Sequence, residues 1–189
     1  MTTPNTPELP PSPASPPSAW VERFLTGVAA GGRALDVACG QGRHLRLALA
    51  LGLSVTGIDR TLAGVADLRG EPRARLIAAD LESGGAFPVG EETFEVVIVT
   101  NYLWRPLLPR IVAAVAPGGL LIYETFAVGN ERFGRPANPE FLLRPNELLE
   151  AALPRLVVVA YEHREVSEPR ARIVQRIAAV GRDHPWATP

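Results

Sequence analysis

The chain contains no lysine: all 19 of its basic residues are arginine. Chemistry that requires an amine side chain is thereby excluded, including Schiff-base formation, lysine general-base catalysis and phosphate transfer on a P-loop with its lysine. A lone cysteine, Cys39, excludes an intramolecular disulfide and a zinc site built from several thiolates, and suits a reducing compartment. Long apolar runs are missing as well. The longest, 111–122, falls short of the roughly 20 residues of a membrane helix and is broken by Pro117, Gly118 and Gly119. No basic, then apolar, leader precedes Arg23, the first basic residue, so no secretory signal is expected and a cytoplasmic location is the default. Neither sign of charge is in excess, with a formal net charge of -1, and residues 100–150 hold five Arg and five Glu. Nucleic acid is therefore not the expected partner, nor is a membrane.

What is present is ordinary globular composition, 47% apolar over 189 residues, enough for one domain with a substantial core. Seven of the 19 prolines lie before residue 18, which predicts an extended or disordered Pro-rich leader over 1–17 and a single domain over 18–189. Ser18 is placed to cap a short helix carrying Trp20, Phe24 and Leu25. Apolar runs of strand length follow at 34–38, 54–59, 74–79, 94–100 and 119–125, separated by helical patterns at 43–51, 62–68 and 107–116. Near-continuous apolar strands alternating with helices predict an α/β fold with a mostly parallel, doubly wound sheet. The last third breaks the rhythm: a short helix at 146–152, then runs at 156–166 and 170–180 joined by a turn at 167–169. That pattern predicts an antiparallel C-terminal hairpin.

The stretch 35–45, LDVACGQGRHL, carries the chemistry. A strand ends, Gly40 and Gly42 allow backbone N–H groups to approach a ligand closely, and a helix N-terminus adds partial positive charge. The dinucleotide fingerprint is not met, because Leu45 stands where its third glycine belongs. Asp59 ends the second strand, where a carboxylate can accept ribose hydroxyls, and Asp80 follows the third. With Asp36 on the first strand, three carboxylates recur in phase at the strand ends that line the crevice of an open α/β sheet. Each taken singly is equally at home in a turn or a cap.

These residues together resemble the class I S-adenosylmethionine-dependent methyltransferases. Residues 35–42 resemble the first motif of that family, GIDR at 57–60 its ribose-binding acidic motif, AADL at 78–81 its adenine-contacting motif, EVVIVTNYL at 95–103 its fourth motif, and APGGLLIYETF at 116–126 its turn and fifth strand. CGQGRH, NYLWRPLL and the segment 129–149 are similar to small bacterial members of the tellurite-resistance-like type. The resemblance covers about residues 18–180. It implies a Rossmann-like seven-stranded sheet with a reversed last hairpin, S-adenosyl-L-methionine as cofactor, and cofactor contacts from Asp36, Ala38, Gly40, Gly42, Asp59, Arg60, Asp80, Leu81, Asn101 and Tyr102. Two positions depart from the pattern. Ala38 replaces the usual first glycine, and Asn101 replaces an Asp found in some members, so a carboxylate base at that strand end is missing.

Substrate-pocket candidates are Trp20, Trp104, Arg105, Glu124 and Arg135. Trp20 either folds over the cofactor or anchors its helix to the core. Tyr102 and Trp104 shape the pocket or pack on top of the sheet, and Arg105 either grips an anion or is solvated. Glu124 is a base or, more commonly for such a carboxylate, the partner of an arginine. Arg135 belongs to a connection long enough for a lid. His44, His163 and His184 show no metal-ligand spacing, no metal is expected, and Cys39 is read as a small packed side chain. The function expected is methyl transfer to a small molecule. RNA or protein methylation and non-catalytic cofactor binding are the alternatives, and a nicotinamide-dependent oxidoreductase is disfavoured by Leu45. The sequence carries no signal for oligomeric state.

Overall fold

A computed structural model describes residues 15–168 and 170–188. Of the leader expected over 1–17, residues 1–14 lie outside the described residues, as does Pro169 of the expected hairpin turn. Helix α1, Ala19–Leu25, starts at Ser18, whose hydroxyl oxygen accepts the Trp20 N–H at 3.2 Å. Strand β1 (Arg33–Val37), helix α2 (Arg43–Ala50), strand β2 (Ser54–Asp59) and strand β3 (Ala74–Ala78) follow. Next come β4 (Phe94–Thr100), α3 (Leu108–Ala113), β5 (Val115–Phe126), α4 (Glu147–Ala152), β6 (Val157–Val166) and β7 (Arg172–Val180). The seven strands form one sheet in the order β3-β2-β1-β4-β5-β7-β6. The first five run parallel, and β7 lies antiparallel between β5 and β6, so the expected hairpin is present with its second strand inserted inward.

The sheet is covered on both faces, and strand alternation decides which residue faces which layer. Leu35, Val37, Val97, Val99, Leu121 and Tyr123 pack with α3 and α4 on one face. Ala34, Val96, Ile98, Leu120 and Ile122 pack with α1 and α2 on the other. Because β2 and β4 flank β1 on opposite sides, the connections after β1 and after β4 diverge and open a crevice at the C-terminal strand ends.

Two elements differ from expectation. The segment read as a helix over 62–68 is a 3₁₀ helix, Ala63–Leu68, interrupted at Val65. A β-carbon at Gly64 would stand 2.7 Å from the Gly40 carbonyl oxygen, so the segment is shaped by its close approach to the glycine turn. Strand β5 begins earlier than expected, at Val115, and α3 stops at Ala113. The Phe94 N–H already bonds the Ala114 carbonyl at 2.8 Å, ending the helix, and residues 117–119 loop out before pairing resumes at Val96 and Leu120. No described helix is long and apolar enough to cross a membrane.

Candidate functional site

The turn between β1 and α2 holds three left-handed residues, Ala38 (φ 58), Gly40 (φ 54) and Gly42 (φ 68). Ala38 adopts the conformation glycine would take there, at a cost on the order of 1–2 kcal/mol. The Gly42 N–H donates to the Cys39 carbonyl at 2.8 Å, and the Cys39 N–H to Ile58 of β2 at 3.0 Å, which ties the turn to the next strand. Asp59 completes the tie: one carboxylate oxygen accepts the Gly40 N–H at 2.8 Å, the other the Thr61 N–H at 3.2 Å.

Asp36 lies in β1, 2% exposed, and its Oδ2 has no hydrogen-bond partner among the described residues. Burial, the main cause, pushes its carboxyl up to about 8, against the opposing pull of Arg43 and with a further push from Asp59. Asp80, exposed at the end of the third strand, accepts the Glu82 N–H at 2.9 Å, the turn role open to it from the start. Tyr102 keeps a buried hydroxyl without a partner among the described residues, and burial raises it well above the ordinary phenol range.

Three cavities adjoin along this edge. A cavity of about 230 Å³ is walled by Ala38, Asp59, Arg60, Asp80, Leu81 and Tyr102. One of about 220 Å³ shares Tyr102 and Glu82 with it and adds Asn101 and Phe126. A third, about 640 Å³, shares Asn101 and Phe126 with the second and reaches Glu124, Arg43 and the N-terminal residues Ser15–Ala19. Asn101 takes φ 55 at the junction. The crevice brings Ala38, Asp59, Arg60, Asp80, Leu81, Asn101 and Tyr102 together from separate elements, whereas Asp36, Gly40 and Gly42 line none of the three cavities.

The substrate-pocket candidates are not brought together in the same way. Glu124, 3% exposed, accepts the Ser18 hydroxyl at 3.1 Å and pairs with Arg176 at 3.3 Å, so it is the arginine partner rather than an unengaged carboxylate. Trp20 is buried, donates its indole N–H to the Ile177 carbonyl at 3.2 Å and packs beneath Arg176, which makes it an anchor of α1. Arg105 turns away toward α4: its guanidinium meets Glu147 at 2.7 Å and the Glu140 and Leu142 carbonyls, and it borders a separate groove between α3 and α4. Trp104 is half-buried against the core, and Arg135 is exposed and lines none of the three cavities.

Arg43, Arg172 and Arg176, not singled out in the sequence, complete the larger cavity. Arg43 donates to the Pro16 carbonyl at 3.1 Å, and His44, 2% exposed, accepts the Ser18 N–H at 3.1 Å on Nε2. Burial, followed by the Arg43 charge, lowers the His44 imidazole to about 3, so the ring is neutral. Arg172 and Arg176 share one face of β7. Two arginines four apart in a mostly apolar strand were the signal available for them. Among the described residues no group of three or more His, Cys, Asp and Glu suits a metal ion.

The mostly parallel seven-stranded sheet with its reversed terminal hairpin is a methyltransferase-like α/β fold, and the crevice lies over its glycine turn. Residues 34–119 match a family model, that of a methyltransferase domain. Among solved structures, it is similar to TehB from Haemophilus influenzae (17% identity, 86% of this chain and 61% of that one, TM-score 0.65). A TehB-like S-adenosylmethionine-dependent methyltransferase from Corynebacterium glutamicum is comparably similar (18% identity, 86% and 85%, TM-score 0.60). A curated relative, the tRNA U34 carboxymethyltransferase of Methylococcus capsulatus, is 32% identical over 123 residues, 59% of this chain. The match spans only 37% of that relative's length.

Proposed function

We propose that the chain methylates a small molecule with S-adenosyl-L-methionine. The observation that carries this reading is Asp36, a buried acid with an unpartnered oxygen beside a turn of left-handed residues. Such an acid suits a cationic amino group, because the charge pair offsets the burial that otherwise holds its proton on. When bound, S-adenosylmethionine supplies a sulfonium methyl whose bond pair stays on sulfur as the acceptor's lone pair forms the new bond, leaving S-adenosylhomocysteine.

The residues of the crevice divide the work of binding. Asp36 takes the amino group, while Ala38, Gly40 and Gly42 let the backbone approach. Asp59, with lone pairs left beyond its two N–H contacts, accepts from the ribose beside Arg60. Asp80 and the Leu81 N–H meet the adenine, and Asn101 and Tyr102 border the passage to the larger cavity, where the acceptor sits in line with the methyl. Calorimetric titration with S-adenosylmethionine and S-adenosylhomocysteine tests this reading; absence of heat with both at millimolar concentration overturns it.

The relative named for tRNA U34 supports a second reading, an RNA acceptor. The larger cavity, a pocket of about 640 Å³ bordered by the N-terminal residues Ser15–Ala19, favours the small molecule. Labelled methyl found in RNA rather than in the metabolite fraction of an extract reverses that order, and cofactor binding without any labelled product favours a binding protein.

A further inference from the structure

We propose that the acceptor is a small molecule carrying a single carboxylate, gripped by Arg172 and Arg43 in the larger cavity. The inference rests on the methyl-transfer reading and adds to it the acceptor's charge. Four arginines line the cavity, Arg43, Arg170, Arg172 and Arg176, against two carboxylates, Glu124 and Glu168. Their engagement differs sharply. Arg176 is taken up: it meets Glu162 of β6 at 2.6 Å and Glu124 at 3.3 Å, and stacks 4.7 Å from the Trp20 ring centroid.

Arg172 bonds only through one terminal nitrogen, at 2.6 Å to the Glu168 carbonyl and 3.4 Å to that of Arg170, and stands 4.0 Å from Glu124. Arg43 likewise engages one nitrogen, on the Pro16 carbonyl. Among the described residues the remaining guanidinium N–H groups of both have no close partner, although the Arg172 side chain is only 18% exposed. Glu124 lies 4.0 Å from Arg172, beyond hydrogen-bond reach, while its oxygens accept from Ser18 and Arg176. With Glu162 matched to Arg176, the wall retains one positive charge over, which suits a monoanion. Half-buried guanidiniums with open N–H groups are the arrangement that binds a planar carboxylate, and each charge-assisted hydrogen bond gains strength away from bulk water. Burial is the main cause that lowers the Arg43 proton affinity; Glu124 and Asp36 raise it, Arg172 lowers it further, and an anion between the two arginines relieves their repulsion.

The test uses the full chain saturated with S-adenosylhomocysteine and titrated calorimetrically with matched probes, benzoate and phenylacetate against benzamide and phenylacetamide. Binding of a carboxylate but neither amide is expected. Arg172→Gln is expected to weaken the carboxylate about tenfold or more, one charge-assisted contact, with S-adenosylhomocysteine affinity within about twofold; Arg43→Gln repeats the measurement should Arg172→Gln fold poorly. Equal binding of acid and amide, no binding of either acid, or a loss in cofactor affinity with carboxylate affinity unchanged overturns the assignment. The last result means that the arginines hold the cofactor's own carboxylate. Failure of S-adenosylhomocysteine to bind the unmodified chain instead overturns the methyl-transfer reading itself.

Discussion

Asp59 accepts the N–H of Gly40 at 2.8 Å, so the end of β2 and the turn after β1 are held by one carboxylate. Asp59→Ala is therefore expected to loosen the turn and remove the proposed ribose contact together. Losing a hydrogen bond to a charged group costs about 1.5–3 kcal/mol, so S-adenosylmethionine affinity should fall by about tenfold to a hundredfold. Unchanged affinity by calorimetry refutes the ribose assignment.

Gly64 stands against the same turn from the other side. Gly64→Ala places a methyl 2.7 Å from the Gly40 carbonyl oxygen, a backbone atom that yields only if the turn moves. Overpacking of this kind costs about 1–3 kcal/mol. We expect weaker cofactor binding along with a lower melting temperature, and an unshifted cofactor affinity contradicts the coupling.

The raised Asp36 carboxyl sets a pH dependence. Folded at about 8 and near 3.8 when unfolded, this acid stabilises the cofactor-free protein at low pH, and the stability is lost as pH rises toward 8. His44 works in the opposite sense: lowered from 6.5 to about 3, it favours folding at high pH and loses that contribution as pH falls below 6.5. The two offset one another between about pH 4 and 6.5. From pH 6.5 to 8 the Asp36 contribution dominates, and denaturant midpoints should fall with rising pH. Asp36→Asn should abolish that fall, a difference read directly from paired unfolding curves.

Arg105 provides the contrast. It faces the buried carboxylate of Glu147, and Arg105→Ala leaves that carboxylate with only the more exposed Arg144. Breaking a buried pair costs about 3–5 kcal/mol, the upper limit here because the arginine is partly exposed. A lower melting temperature with unchanged cofactor affinity is the expected result. Weakened acceptor binding without loss of stability would return Arg105 to the substrate pocket.

Strand positions and the crevice were legible because both rest on local pattern. An apolar run such as 94–100 specifies a strand wherever it lies, and Gly40, Asp59 and Asp80 recur at strand ends in a fixed phase. The acceptor side was not legible, because its residues meet through tertiary placement. Arg105 and Arg172 look alike as sequence, each an arginine beside apolar residues. What separates them is that Glu147 on α4 turns toward the first, while Glu124 is already engaged by Ser18 and Arg176 before it reaches the second. The early start of β5 was hidden for a related reason: Val115 pairs with Phe94 before the Pro117–Gly118–Gly119 signal that marks a strand's beginning in the sequence.

The insertion of β7 between β5 and β6 also orders the assembly of the molecule in time. Residues 38–102 supply the walls of the cofactor crevice, whereas the larger cavity needs Ser15–Ala19 and Arg172 to meet from opposite ends of the described chain. Contacts of such sequence separation carry the largest loop-closure entropy and form late. The crevice over the glycine turn is therefore expected to form before the larger cavity does.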